Sequence, residues 1–343
     1  MTYMSRITIL CAALCAVSCT KKAEQQQEKP AATEIDMAEE KVVATSEPVK
    51  PLPPVANLDM AKVTLGRKLF HDKMLSGDGT VACVTCHSLD HGGAEPRKTS
   101  TGIRGQIGPI NSPTVLNSSH NIAQFWDGRA KDLREQAEGP VANPIEMGAT
   151  WEGVVKRLGA NDEYVAEFAA VYEDGISKNN VTDAIAVYEE ALITPSRFDA
   201  YLGGEAGALT EQEKRGYKTF KEVGCTACHN GVLVGGSMFQ KMGLVADYFK
   251  DRGTEVTEAD LGRFNVSKNP AEKHFFKVPT LRNVELTPPY FHDGSRQTLE
   301  EAVTVMGKYQ LGRDLTKAQV DDIVAFLKSL TGELPPYATM PGS

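Results

Sequence analysis

Apolar positions recur at helical spacing in several stretches of the chain. Leu58, Ala61, Leu65 and Leu69 lie 3, 4 and 4 residues apart, which is one face of a helix. Weaker patterns of the same kind cover 151–172, through Val154, Leu158, Val165, Phe168 and Ala169, and 182–193. Thr210 and Glu213 form a Thr-x-x-Glu capping box, which predicts a helix from there to Val223. Thr316 and Gln319 repeat that device before an apolar stripe of Val320, Ile323, Val324, Leu327 and Leu330. Gly332 suits the position just past the end of that helix. The segments between are rich in Gly, Pro and Asn, and no alternating run is long enough for a sheet. The predicted fold class is all-α with long loops.

The N-terminus has a different pattern. Arg6 precedes an apolar stretch of eleven residues, Ile7 to Val17, too short to cross a membrane and typical of an export signal. Ala16-Val17-Ser18 forms a small-residue cleavage site, and Cys19 follows where a lipoprotein signal places its lipidated cysteine; Ala16 stands where such signals usually have Leu. Residues 1–18 thus read as a signal peptide. Residues 19–56 read as a disordered tether, because KKAEQQQEK and the prolines 48, 51, 53 and 54 carry too little apolar surface to offset ordering. The expected location is the periplasm, with a lipid anchor at Cys19.

Composition adds little beyond that frame. Hydrophobic residues make up 41% of the 343, enough for ordinary cores, while aromatics at 7% leave room for another large apolar group inside. The formal charge is -8 and no basic stripe is present, which argues against nucleic-acid binding.

Cysteine carries the chemistry. Beyond Cys19, four cysteines remain: Cys83 and Cys86 before His87, and Cys225 and Cys228 before His229. Each set is C-x-x-C-H, the signature of covalent c-type haem attachment. Two thiols across a tight turn reach the two vinyl groups of one haem, and the adjacent histidine meets the iron. A zinc site would need four gathered ligands, and a thioredoxin-like pair would need a βαβ setting. The two motifs lie 142 residues apart (229 minus 87), each after a helix. The chain therefore reads as two c-type cytochrome domains, 57–200 and 201–331, each wrapped around one haem, with a tail at 332–343. Long loops suit such domains, because the haem serves as their core. The second iron has Met238, Met242 and Met306 as candidate sixth ligands. Met306, far past His229 and just before the final helix, is preferred.

Three segments carry a resemblance: GPINSPTVLNSSHNIAQFWDGRAKDLREQAEGP (108–140), FKVPTLRNVELTPPYFHDGS (276–295) and LEEAVTVMG (299–307). With the haem motifs, they make the chain similar to the bacterial di-haem cytochrome c peroxidases, and more distantly to the MauG-type enzymes, over about residues 57–331. The resemblance implies a peroxidatic haem on Cys83, Cys86 and His87. Glu146 matches its catalytic carboxylate, and Gln136 and Phe125 match other residues lining its pocket. It implies an electron-entry haem on Cys225, Cys228 and His229, with Met306 as sixth ligand and Trp126 between the haems. Asn111, Thr287 and Pro289 match a calcium site, a hard-cation set of oxygens. The implied partners are hydrogen peroxide and a small cytochrome c or cupredoxin as electron donor, and the implied assembly is a homodimer.

One position departs from that family. Where many members have a histidine that caps the peroxidatic iron in the oxidised enzyme, this chain has Ile103. The expectation is an iron open to peroxide without reductive activation; His91 or His120 swinging in is the competing reading. His71 and His274 read as structural, and His292 as a neighbour of the electron-entry haem. A MauG-like enzyme that oxidises a partner protein would have tyrosine in place of Met306. A plain di-haem electron carrier would have no use for Glu146 and Gln136.

Overall fold

The structure, a computed structural model, describes residues 47–55 and 57–340. The signal segment, Cys19, most of the tether and the last three residues lie outside the described residues. The main helices are α1 (Met60–His71), α2 (Leu133–Ala142), α3 (Trp151–Gly159), α4 (Asp162–Val171), α5 (Lys178–Glu190), α6 (Arg197–Leu202), α7 (Glu211–Val223), α8 (Leu299–Leu311) and α9 (Lys317–Lys328). The fold is mostly helical, with one small antiparallel ladder pairing β1 (Phe239–Lys241) with β2 (Phe275–Lys277).

Local signals start most helices. Asp59 accepts from the amides of Ala61 and Lys62 at the head of α1. The 151–172 pattern is two helices, because Asn161 accepts from the amides of Glu163 and Tyr164 and starts α4 afresh. The Thr210–Glu213 and Thr316–Gln319 boxes both form. The stretch around Met306 is itself helical: α8 opens on a Thr298–Glu301 box and carries Met306 in its interior.

Glycine sets the main crossings. A Cβ on Gly66 of α1 would lie 1.9 Å from the Ala184 carbonyl oxygen of α5. A Cβ on Gly216 of α7 would lie 1.9 Å from that of Asp322 in α9. Backbone meets backbone at both points, and each half builds its core around that crossing. Leu69, Phe70, Leu158, Phe168 and Tyr188 fill the first core. Phe198, Tyr217, Phe220 and Phe326 fill the second.

Two segments expected to run free are docked. At the end of the tether, Val49 is buried and bridges to Gly231, the Leu52 amide donates to Asp199 (2.7 Å), and Glu47 meets Lys221 (2.9 Å). Val49 and Leu52 are two apolar anchors that the surrounding polar and proline residues mask. The C-terminal tail returns to the first half: Ala338 is buried, and its carbonyl accepts from the Tyr188 hydroxyl at 2.6 Å. Gly332 does not end α9, which closes at Ser329 in ordinary helical conformation. It bridges to Ser196, where a Cβ would sit 2.1 Å from the Thr194 oxygen.

The two halves also repeat a loop. Pro113-Thr114-Val115-Leu116-Asn117 and Pro279-Thr280-Leu281-Arg282-Asn283 are 166 residues apart (283 minus 117). At the same separation stand Phe125-Trp126-Asp127-Gly128 and Phe291-His292-Asp293-Gly294. Their backbones agree: Asn117 and Asn283 both have φ 59°, and Phe125 and Phe291 have φ 67° and 71°. The bridges Gln124–Ala130 and Tyr290–Arg296 correspond, and so do the first residues of α2 and α8. The haem loops repeat with a shorter separation, so a sequence comparison at a single spacing misses one or the other.

Candidate functional site

Each Cys-x-x-Cys-His loop follows the helix that sets its half's crossing. The Nδ1–H of His87 donates to the Gly93 carbonyl (3.3 Å), and that of His229 donates to the Val234 carbonyl (3.1 Å). Nε2 is thereby left with its lone pair for iron. Burial lowers the affinity of His87 for a proton and pushes that of His229 down to about 4, so both rings are neutral as a ligand must be. The repeated Thr-x-x-Asn loops brace these acceptors. Thr114 Oγ1 donates to the Gly92 carbonyl (2.6 Å), and Thr280 Oγ1 donates to that of Leu233 (2.9 Å).

The thiols fit haem attachment better than the alternatives. None of the four is in a disulfide. Burial, with Glu189 second, pushes Cys83 up to about 12; burial, with Glu95 second, does the same for Cys86. Burial pushes Cys225 up to about 12 as well. Such thiols are poor thiolate nucleophiles at neutral pH, unlike a redox pair. Nor do they gather for zinc: among the described residues only Asp260, His292 and Asp293 bring three donor groups within 4.8 Å of one another. There the guanidinium of Arg252 already spans Asp260 (2.7 Å) and Asp293 (2.9 Å). A large, mainly apolar cavity beside His229 is lined by Phe220, Val278, Leu281, Val303, Met306 and Ile323, the surroundings a haem needs.

The first half places Glu146 on a tight loop after α2. The amides of Met147, Gly148 and Ala149 donate back to Pro140, Asn143 and Val141, satisfying the carbonyls at the end of the helix. Asn143 Nδ2 donates to Glu146 Oε1 at 2.7 Å. Burial raises the proton affinity of Glu146, while Arg129 and then Asn143 oppose that rise. Glu146 and Cys86 are close enough to interact electrostatically, so the carboxylate belongs to the first haem loop. Phe125 approaches α2 at Gly139 and carries the Arg129 guanidinium over its ring at 3.4 Å. Gln136 sits half-buried on α2, one turn before Gly139. Ile103 is buried; its amide donates to the Glu146 carbonyl (2.8 Å), and its side chain packs on Gly148. His91 is exposed, while His120 is half-buried and feels the charge of Arg282.

The junction between the halves is pseudo-symmetric. Trp126 and His292 hold equivalent positions in the repeat and meet edge to face at 6.3 Å. The Lys277 amide donates to the Trp126 carbonyl (2.8 Å), and the Asn111 amide donates to the His292 carbonyl (2.8 Å). Trp126 Nε1 donates to the Asn111 carbonyl at 2.9 Å. His292 stacks on Phe276 (4.4 Å) and bonds Asp260 through Nε2 (2.7 Å). Asn111, Thr287 and Pro289 all line the cavity beside His229, as do Phe125, Trp126, Met242 and Met306; Met238 does not. His71 bonds the Arg67 carbonyl (2.9 Å) and His274 that of Asp260 (2.8 Å), which are structural duties.

Sequence reading missed several residues of these sites. Asn143, Arg129, Asp260 and Arg252 looked like ordinary loop polarity. Glu189 looked like a helix-surface charge, yet it is buried, is pushed up to about 8 by burial and then by Glu190, and faces Cys83. His292, read from the sequence as a neighbour of the electron-entry haem, lines the cavity beside His229.

Residues 60–207 match the family described as di-haem cytochrome c peroxidase. The cytochrome c551 peroxidase of Nitrosomonas europaea is 50% identical over 300 residues, covering 86% of this chain and 87% of that protein. The cytochrome c peroxidase Ccp of Escherichia coli K12 is 49% identical over 294 residues, 85% of this chain; the chain spans 63% of that protein's length. A solved MauG-like protein associated with microbial copper homeostasis superposes with a TM-score of 0.76 at 30% identity, over 86% of this chain and 97% of the other. Half the aligned positions being identical over most of both chains goes well beyond a shared fold, and this protein belongs to the di-haem cytochrome c peroxidase family, with two c-type haems and peroxidase-type oxidoreductase chemistry.

Proposed function

We propose that the protein reduces hydrogen peroxide to water in the periplasm. Peroxide is consumed at the N-terminal haem, and electrons enter through the C-terminal haem from a small cytochrome c or cupredoxin. Each peroxide takes two protons and two electrons to give two waters.

One observation carries the assignment of roles. At the constant separation of the repeat, Met306 of α8 corresponds to Pro140 of α2 (306 minus 166). Proline has no atom that can bind iron, so the first half lacks the side-chain ligand that Met306 offers the second. The loop following Pro140 instead brings up Glu146.

A c-type haem supplies an iron that binds peroxide and exchanges electrons with it. The protein handles the protons. Glu146, as a carboxylate, accepts a proton from the inner peroxide oxygen and returns it to the outer one, which leaves as water. Asn143 fixes Oε1, so Oε2 is the oxygen presented for that exchange. Gln136 and Phe125 complete the wall, and Trp126 bridges toward the second haem. Asn111, Thr287 and Pro289 hold calcium between the halves; the Asn111 side-chain nitrogen Nδ2 is committed to the Arg97 carbonyl (3.0 Å), so Oδ1 is the side-chain atom that would meet the cation.

Ile103 makes the enzyme ready without prior reduction. Its side chain is packed into the core beside the Glu146 loop, His91 is solvent-exposed, and His120 is near Arg282. An exported homodimer anchored at Cys19 completes the reading.

The test is the absorption and EPR spectrum of the fully oxidised protein, with peroxide added before any reductant. A high-spin ferric signal and immediate peroxide consumption are expected. Two low-spin haems and no reaction until one electron is added would overturn the Ile103 reading. No peroxide consumption in either state would overturn the function.

A further inference from the structure

Lys277 and Arg282 are the buried cations among the described residues. Arg282 is fully served: Asp199 takes two of its nitrogens at 2.8 Å each, and backbone carbonyls take more. Half-buried Arg252 is likewise clamped by Asp260 and Asp293. Lys277 differs. It is only 7% exposed, yet no carboxylate among the described residues lies within ion-pair distance of it. Burial alone pushes its pKa down to about 8.

An unpaired ammonium inside a protein is costly, and a chain that keeps one in place normally pairs it with something. Among the described residues the chain supplies no such partner. Lys277 lines the cavity that holds His229 and Met306, and its amide is tied to the Trp126 carbonyl, so its backbone is fixed at the junction of the two halves. In the repeat it takes the place of Asn111 (277 minus 166), an uncharged residue. The extra positive charge therefore belongs to the second haem cavity. The one anionic group that must enter this cavity is the haem, which carries two propionate carboxylates.

We propose that Lys277 is the ion-pair partner of a propionate of the C-terminal haem and a positioning residue for that haem. The ammonium donates to the carboxylate and places a positive charge beside the electron-entry group. That charge favours the reduced over the oxidised iron. It thus holds the potential of this haem up, next to the Trp126 relay. The inference rests on the C-terminal haem being present and not on peroxide turnover.

The experiment compares the holoproteins of wild type, Lys277→Met and Lys277→Arg. Haem content is measured by pyridine haemochrome, and each haem's midpoint potential by spectroelectrochemical titration. Lys277→Met should retain both haems and lower the potential of the C-terminal haem selectively. Lys277→Arg should stay near wild type, because its charge can still meet a carboxylate. Loss of the C-terminal haem in Lys277→Met alone, with Lys277→Arg intact, would also support the pairing. Unchanged potentials in Lys277→Met, a shift confined to the N-terminal haem, or equal loss of haem in both variants would overturn it. If peroxide turnover is absent while the selective shift is present, the function fails and the pairing stands.

Discussion

Replacing Asn143 with Ala isolates the proton chemistry of Glu146. Asn143 Nδ2 donates to Glu146 Oε1 at 2.7 Å, and this bond favours the carboxylate form. A hydrogen bond to a charged group is worth about 1.5–3 kcal/mol. Its loss removes a contact that holds the carboxyl down, so the Glu146 carboxyl should move further up. The sign follows from the role. Glu146 must be ionised to accept the first proton, so activity falls as pH drops through its pKa. Burial has already moved that point above the usual carboxylate position, and Asn143→Ala moves it further up. The acid limb of peroxide consumption should therefore shift to higher pH while the rate on the alkaline side changes little. The assay is stopped-flow peroxide reduction by the reduced enzyme across the acid range, with haem content and Tm as controls. Glu146→Gln should abolish the limb and slow the reaction by about 10²–10⁴-fold. An acid limb that stays in place in Asn143→Ala, with the fold intact, would refute the assignment of Glu146 as the proton-transfer group.

Ile103→His should convert the resting N-terminal haem from high-spin to low-spin and introduce a lag that one electron removes; EPR of the oxidised variant checks this, and an unchanged spectrum counts against position 103 facing the iron. Met306→Leu should abolish the near-infrared sulfur-to-iron band of the C-terminal haem, whereas Met242→Leu should leave it, although both side chains line the cavity. Gly216→Ala forces a Cβ to within 1.9 Å of the Asp322 oxygen, and overpacking of this kind costs about 1–3 kcal/mol. Thermal unfolding should record a lower Tm with both haems attached, and an unmoved Tm would mean that α7 and α9 do not cross through backbone contact.

Some of these features could be read directly from the chain because they are local. A capping box satisfies amides three residues away, so Thr210–Glu213 and Thr316–Gln319 mark helix starts without knowledge of the fold. Helices α2 and α8 were harder to see. The Glu138-Gly139-Pro140 run in α2 looks like a breaker, yet the following loop returns its amides to the freed carbonyls. α8 runs on unbroken through Gly307 after Met306, where a Cβ would meet Leu315. The polar stretch before residue 57 hid Val49 and Leu52, because burial depends on the surface that receives them.

The resemblance to a family, not a local pattern, singled out Glu146; the sequence by itself determined the two haem-attachment motifs and the helical class. Those follow from covalent spacing and short-range hydrogen bonding, which a few neighbouring residues settle. Only the tertiary structure decided which groups are paired and which are not. Asp260 is a clamped anion, Glu189 a buried acid and Lys277 a cation with no carboxylate partner among the described residues, though all three are plain charges in the chain. The same holds for the junction where Trp126 meets His292. Desolvation and charge pairing act through space, between segments that need not be neighbours in the chain, and no local pattern encodes which surfaces will meet.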